Sequence, residues 1–196
     1  VTGADASQDY YLDLSLKTPE AKITDIRLVS NPQTTRFVYD ALGRVTHTID
    51  ALGNITENRY DAYGNVVSVN QGKQAVSFDS DTGVFVDGNT VTKISDQTTW
   101  ACGVTSNESI TGNGFMEFEV GEEGKGILVG LNENPSRDHS SDNCYFEFEY
   151  AINITSSGVI HLYEDGSSVG DQFSHEVGNT YRIYVEDNCV RYTLLD

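Results

Sequence analysis

The residues best placed to do chemistry are the carboxylate pairs Glu117/Glu119 and Glu147/Glu149, whose i, i+2 spacing on a strand sends both side chains to one face. Two carboxylates about 5 to 5.5 Å apart suit a retaining glycosidase, provided one is a raised-pKa acid beside an ionised nucleophile. The alternation of Met116, Phe118 and Val120 with the first pair, and of Phe146, Phe148 and Tyr150 with the second, reads instead as wet strand faces opposite buried ones. No enzyme is expected. A second candidate is the loop from Asn132 to Asn143, where Asp138, His139 and Asp142 could hold a hard cation such as calcium, or a sugar, through loop oxygens. Its plain reading is a mobile acidic loop, since no fixed ligand spacing is present. Trp100, the only tryptophan, could stack on a sugar ring, but a large aromatic after a turn more often fills a core.

Cys102, Cys144 and Cys189 lack metal-ligand spacing. Cys144 and Cys189 each adjoin a strand and could form one disulfide, leaving Cys102 as the spare thiol. His47, His161 and His175 are isolated, and Asp40, Asp50 and Asp61 are turn residues before they are calcium ligands. Asn54-Ile55-Thr56, Asn107-Glu108-Ser109 and Asn153-Ile154-Thr155 fit a glycosylation triplet too short to be informative. There is no nucleophile with its base, no phosphate cradle and no tight metal cluster, so no cofactor is expected beyond diffuse or loop-bound calcium.

The elements that must position these residues are strands. Across 196 residues the chain is 38% hydrophobic and 10% aromatic, enough for a packed core, and no run approaches the roughly 18 apolar residues of a membrane span. Glycine (18), tyrosine (11), threonine and valine are plentiful while methionine is single, which favours pleated strands and tight turns and predicts an all-β chain. A net charge of -18 repels phosphate backbones and anionic headgroups, so neither nucleic acid nor membrane insertion is expected. The chain opens on Val1 and has its only methionine at Met116, which predicts a piece of something longer. Charge divides it: residues 1–76 carry 9 acids and 7 bases, residues 77–196 carry 21 and 5.

An internal repeat fixes part of the architecture. Tyr39-Asp40-Ala41-Leu42-Gly43-Arg44-Val45 returns after 21 residues as Tyr60-Asp61-Ala62-Tyr63-Gly64-Asn65-Val66, with Ile49-Asp50-Ala51-Leu52-Gly53-Asn54-Ile55 between them. Each unit reads as a turn, in which Asp bonds the N–H two residues on and Gly takes positive φ, followed by a strand. The predicted strands are Arg36 to Tyr39, Arg44 to Ile49, Asn54 to Tyr60 and Asn65 to Val69, with Asn31-Pro32 as a degenerate earlier turn. These residues resemble the YD repeats of RHS proteins, found in bacterial cell-surface and toxin-delivery proteins and related animal adhesion proteins, over about residues 31–70. The resemblance implies turn roles for Tyr39, Asp40, Gly43, Asp50, Gly53, Tyr60, Asp61 and Gly64. In that family many repeats coil into a shell that can enclose a toxin; a few short strands cannot, so a spacer sheet over residues 31–74 is expected here.

From Ala75 onward the strands expected are Ala75 to Phe78, Val84 to Val86, Thr90 to Lys93, Gly114 to Val120, Gly126 to Leu131, Tyr145 to Asn153, Val159 to Glu164, Tyr181 to Val185 and Cys189 to Leu194, a spacing that suggests a sandwich. Gly112-Asn113-Gly114-Phe115-Met116-Glu117-Phe118, Gly130-Leu131, Val159 through Gly166 and Val177-Gly178-Asn179-Thr180-Tyr181-Arg182-Ile183 resemble the concanavalin-like (lectin/laminin-G type) jelly-roll domains of extracellular proteins, over about residues 77–196. The Glu-x-Asp-x-x-Glu strand of the glycosidases in that group is absent. Such domains continue past Val190-Arg191-Tyr192, and Leu12, Leu14 and Leu16 with Ile23, Ile26 and Leu28 look like the missing final strands. The resemblance therefore implies that residues 1–30 complete a sandwich, their own or a neighbour's, beside Val190, Tyr192 and Leu194, and covering by a neighbour is the favoured expectation. The function expected is a non-catalytic extracellular or cell-surface unit of a tandem array or filament, partnered head to tail with copies of itself or adjacent repeats. A glycan-binding module is the alternative, and a fragment of an RHS toxin-delivery shell a second.

Overall fold

The computed structural model of the protein describes residues 3–5, 7–30, 34–135, 137–140, 142 and 144–195. The turn expected at Asn31-Pro32 lies outside the described residues. The chain is all-β and antiparallel, with one turn of 3-10 helix at Cys144–Glu147 among those residues. In chain order the strands are β1 (Asp9–Leu16), β2 (Lys22–Ser30), β3 (Arg36–Tyr39), β4 (Val45–Ile49), β5 (Asn54–Tyr60), β6 (Val66–Lys73), β7 (Phe78–Thr82), β8 (Val84–Asp87), β9 (Thr90–Lys93), β10 (Gly103–Thr111), β11 (Gly114–Glu119), β12 (Ile127–Asn132), β13 (Tyr150–Ile154), β14 (Val159–Glu164), β15 (Ser167–Ser174), β16 (Thr180–Glu186) and β17 (Cys189–Leu195). Three sheets result, ordered β15-β14-β13-β12-β1-β10-β7, β17-β16-β11-β2-β9-β8 and β3-β4-β5-β6.

The two larger sheets share one apolar core. Tyr10, Leu12, Leu14 and Leu16 alternate along β1 and lie sealed against Ile23 and Ile26 of β2, Met116 and Phe118 of β11, Ile127, Val129 and Leu131 of β12, and Ile183 and Val185 of β16. Each fully buried leucine contributes roughly 1.5–3 kcal/mol. The opposite face of β1 is buried as well, through Asp13 and Ser15.

That placement departs from the favoured expectation. β1 runs between β10 and β12, and β2 between β11 and β9, so both strands occupy the middle of their own chain's sheets and neither pairs with β17. In that position β1 turns Leu12, Leu14 and Leu16 into the shared core, and its Asp13 and Ser15 face is covered by Arg137, while both of its ladder edges are paired. Among the described residues before β3, those that hydrogen-bond the last strand or its turn are Gly3 and Ala4, through a bridge from Gly3 to Cys189 and the Ala4 N–H donated to the Asn188 carbonyl. The spacer also differs from a link between successive bodies: the chain leaves β2, makes β3 to β6 and re-enters the same core at Val76, so the repeat sheet is an insertion in one two-sheet body.

Three local readings are corrected. Tyr145 to Asn153 is not one strand: its first part is the 3-10 turn, and Phe146 is 64% exposed while Phe148 and Tyr150 are buried. Glu117 does not face water, because Arg27 and Arg182 cover it. Cys189 is a free, exposed thiol and Cys102 a free, buried one, so the Cys144–Cys189 bridge is not formed.

Candidate functional site

Asp40, Asp50 and Asp61 build three turns with one hydrogen-bond pattern. In each, Oδ1 accepts the N–H of the residue two positions on, Leu42 (2.9 Å), Leu52 (2.8 Å) or Tyr63 (2.9 Å), and that of the residue four on, Arg44 (3.0 Å), Asn54 (2.8 Å) or Asn65 (2.9 Å). Oδ2 accepts from the side chain of that fourth residue, the Arg44 guanidinium at 2.7 Å or the Asn54 and Asn65 amides at 2.8 and 2.9 Å. Gly43, Gly53 and Gly64 hold φ of 76°, 75° and 89°, where a Cβ would strain the backbone. Each aspartate is thus committed to N–H donors. The Arg44 backbone N–H holds Asp40 below the usual carboxylate range, and the Asn65 amide does so for Asp61. At Asp50 burial pushes upward, and the Asn54 amide and backbone outweigh it. In the expected outcome, Asp50→Ala raises amide exchange at Leu52 and Asn54 by about tenfold or more, measured by hydrogen–deuterium exchange, because two N–H groups lose their acceptor.

The turns alternate between near and far ends of the sheet. Asp50 to Gly53 abuts β2, where the Leu52 carbonyl accepts from Arg27, and a Cβ on Gly53 would sit 3.2 Å from Val29. The guanidinium of Arg44 lies 4.6 Å from the Tyr60 ring centre, and the Tyr60 hydroxyl donates to the Val45 carbonyl at 2.8 Å. Aspartate and tyrosine of the repeat therefore brace consecutive hairpins. Apolar side chains are left in water on the edge strands: Phe37, Val38 and Tyr39 on β3, and Val66, Val67 and Val69 on β6.

The candidate loop residues have structural partners. Arg137 lies buried over the outer face of β1, its Nη1 2.9 Å from Asp13 Oδ2, its Nε 2.7 Å from Glu147, its Nη2 3.2 Å from Ser15 Oγ, and its guanidinium 4.8 Å from the Phe148 ring centre. Asn132 donates to Asp13 (2.9 Å) and accepts the Asn134 N–H (2.7 Å). His139 is buried, 3.0 Å from Thr105 Oγ1 and 3.6 Å from Asp13 Oδ1. Asp138 accepts the Ser140 N–H, and Asp142 accepts the Trp100 N–H. Trp100 packs with Leu128, Phe148 and Ala151. The loop carboxylates Asp138 and Asp142 thus accept from protein N–H groups, and among the described residues no group of three or more His, Cys, Asp or Glu could hold a metal ion. Sequence reasoning missed Asp13 and Arg137; the one available signal was a charge in the middle of the apolar run Leu12 to Leu16.

Burial holds His139 below the ordinary histidine range, with Arg137 adding to that and Asp13, Glu147 and Asp138 opposing. A histidine kept neutral by the fold but free to protonate when unfolded contributes stability above about pH 6.5 that is lost as pH falls toward its lowered value. Urea midpoints are expected to drop between pH 7.5 and 5, with a shallower slope in His139→Gln.

A family model described as RHS Repeat matches residues 39–76, the part of the chain that forms the Asp-Gly turns and their hairpins. Residues 39–76 are thus an RHS-type repeat segment. Curated proteins and solved structures yield no match.

Proposed function

We propose that the chain is a non-catalytic structural unit of an extracellular or cell-surface protein, in which a concanavalin-like sandwich carries a short RHS-type sheet that joins it to copies of itself or to adjacent repeats. The observation that carries this reading is the repeat sheet itself: it stands out from the body with apolar side chains exposed on β3 and β6, each paired on one side only. Free strand edges of this kind are templates for pairing. RHS repeats typically occur in cell-surface or secreted proteins, and among the described residues no helix is long and apolar enough to cross a membrane. Three of the four carboxylates first considered for catalysis are engaged: Glu117 with Arg182 and Arg27, Glu147 with Arg137, and Glu149 with the Glu133 N–H. Antibody against the two-sheet body should label intact cells that make the full gene product. Labelling only after permeabilisation would count against the reading.

A glycan-binding role is the second reading. It is favoured by a polar cleft of about 360 Å³ where the repeat sheet meets the body, with Ser30, Arg36, Asp50, Gln74, Glu108 and Ser109 among its walls. Binding to immobilised glycans that Arg36→Ala removes would support it; an array without signal would remove it.

A further inference from the structure

We propose that the free edge of β6 pairs with β6 of a second copy, antiparallel about a two-fold axis, so that two four-stranded repeat sheets become one continuous sheet of eight. The inference deepens the structural reading above by naming its partner and the strand that meets it.

Three features select this edge. β6 spans eight residues, about 26 Å, and bonds β5 alone; its register with β5 breaks once, between Val66 and Ser68 at the outer end, and runs unbroken from Ser68 to Lys73. Its side chains carry almost nothing that guards an edge: Val66, Val67, Val69 and Gly72 are neutral, no proline interrupts it, and the single charge, Lys73, sits at the end in an ion pair 2.9 Å from Asp25. Val67 and Val69 are 62% and 57% exposed. The other edges are poorer templates. β3 has four residues and carries Arg36. β15 contains Gly170 at φ 71°, and the start of β17 is already met by Gly3. β7 carries Asp79 and Asp81, and β8 has four residues and ends on Asp87.

Charge decides who the partner is and from which side it comes. Residues 36–73 hold four acids and four bases, whereas the rest of the chain holds 26 acids and 8 bases. Two copies therefore repel body to body, whereas their repeat sheets approach at no net charge. Pairing one patch with itself about a two-fold axis is isologous, so assembly stops at two. It also leaves the acidic bodies at opposite ends, where salt screens what repulsion remains.

The test is sedimentation velocity of the whole chain under reducing conditions, which keep the exposed Cys189 from cross-linking copies. Between about 1 and 500 µM the species should move from 21.5 kDa to twice that mass, and the midpoint should fall to lower protein concentration as NaCl rises from about 0.05 to 0.5 M. Val69→Lys places like charges near the middle of the paired edge and should weaken association at least about tenfold without changing the thermal midpoint. Phe37→Lys on β3 should leave association unchanged. A monomer throughout, association that Val69→Lys leaves intact, loss of association in Phe37→Lys, or masses beyond the dimer would each overturn the proposal. Surface labelling of intact cells together with a monomer would sink this inference and spare the structural reading.

Discussion

Gly130→Ala is expected to destabilise the protein by about 4 kcal/mol or more, or to prevent folding. Gly130 lies on β12 opposite both Asp13 of β1 and Ala151 of β13. A Cβ there would fall 2.1 Å from the Tyr150 carbonyl oxygen and 2.8 Å from Ala151 Cα. Both obstacles are set by backbone, and β12 is locked between two partners, so no side-chain rotation relieves the overlap. Gly121→Ala is the matching control: its Cβ would meet nothing within 4 Å, and its stability should stay within about 0.5 kcal/mol of the parent. Urea unfolding followed by tryptophan fluorescence reads both, because Trp100 sits in the small cluster outside the same sheet.

Arg137→Met should cost about 3–5 kcal/mol. The guanidinium is the cation facing Asp13 at 2.9 Å, and both side chains are sealed from solvent. Without it Asp13 is a buried carboxylate left with the Asn132 amide and a His139 that burial keeps neutral. Asp13→Asn combined with Arg137→Met removes the stranded charge and should recover part of the loss, so a double-mutant cycle by urea denaturation is expected to return a coupling of about 1–3 kcal/mol. If the two losses simply add, the ion pair is not what holds the loop over β1.

The repeat was the most legible part of the sequence, because local chemistry alone dictates it. Strands at Arg36–Tyr39 and Asn54–Tyr60 fall where the Asp-Gly turns put them. Thr90–Lys93 and Val159–Glu164 were equally readable from runs of β-branched and alternating residues. β10 and β15 were not foreseen: Gly-Val-Thr-Ser-Asn-Glu-Ser-Ile-Thr and Ser-Ser-Val-Gly-Asp-Gln-Phe-Ser carry no clean apolar alternation, and their neighbours in the sheet, rather than their own pattern, make them strands. The buried cluster of Asp13, Arg137 and His139 was hidden for a similar reason. Arg137 and His139 stand 124 and 126 residues from Asp13, and the sheet order β12-β1-β10 brings them to one face. The position of β1 and β2 in the middle of the body, rather than at its end, is likewise a fact of topology that strand pattern does not encode.

The hairpins of β3 to β6 depart from β2 and come back beside it, with an even number of strands and the Asp50 turn resting on Val29. A further 21-residue period would add two strands and restore the same exit and entry points. The body would then hold its shape while the arm grew longer or shorter by whole hairpins, so reach can be tuned by gene duplication or loss without any compensating change in the scaffold that bears it.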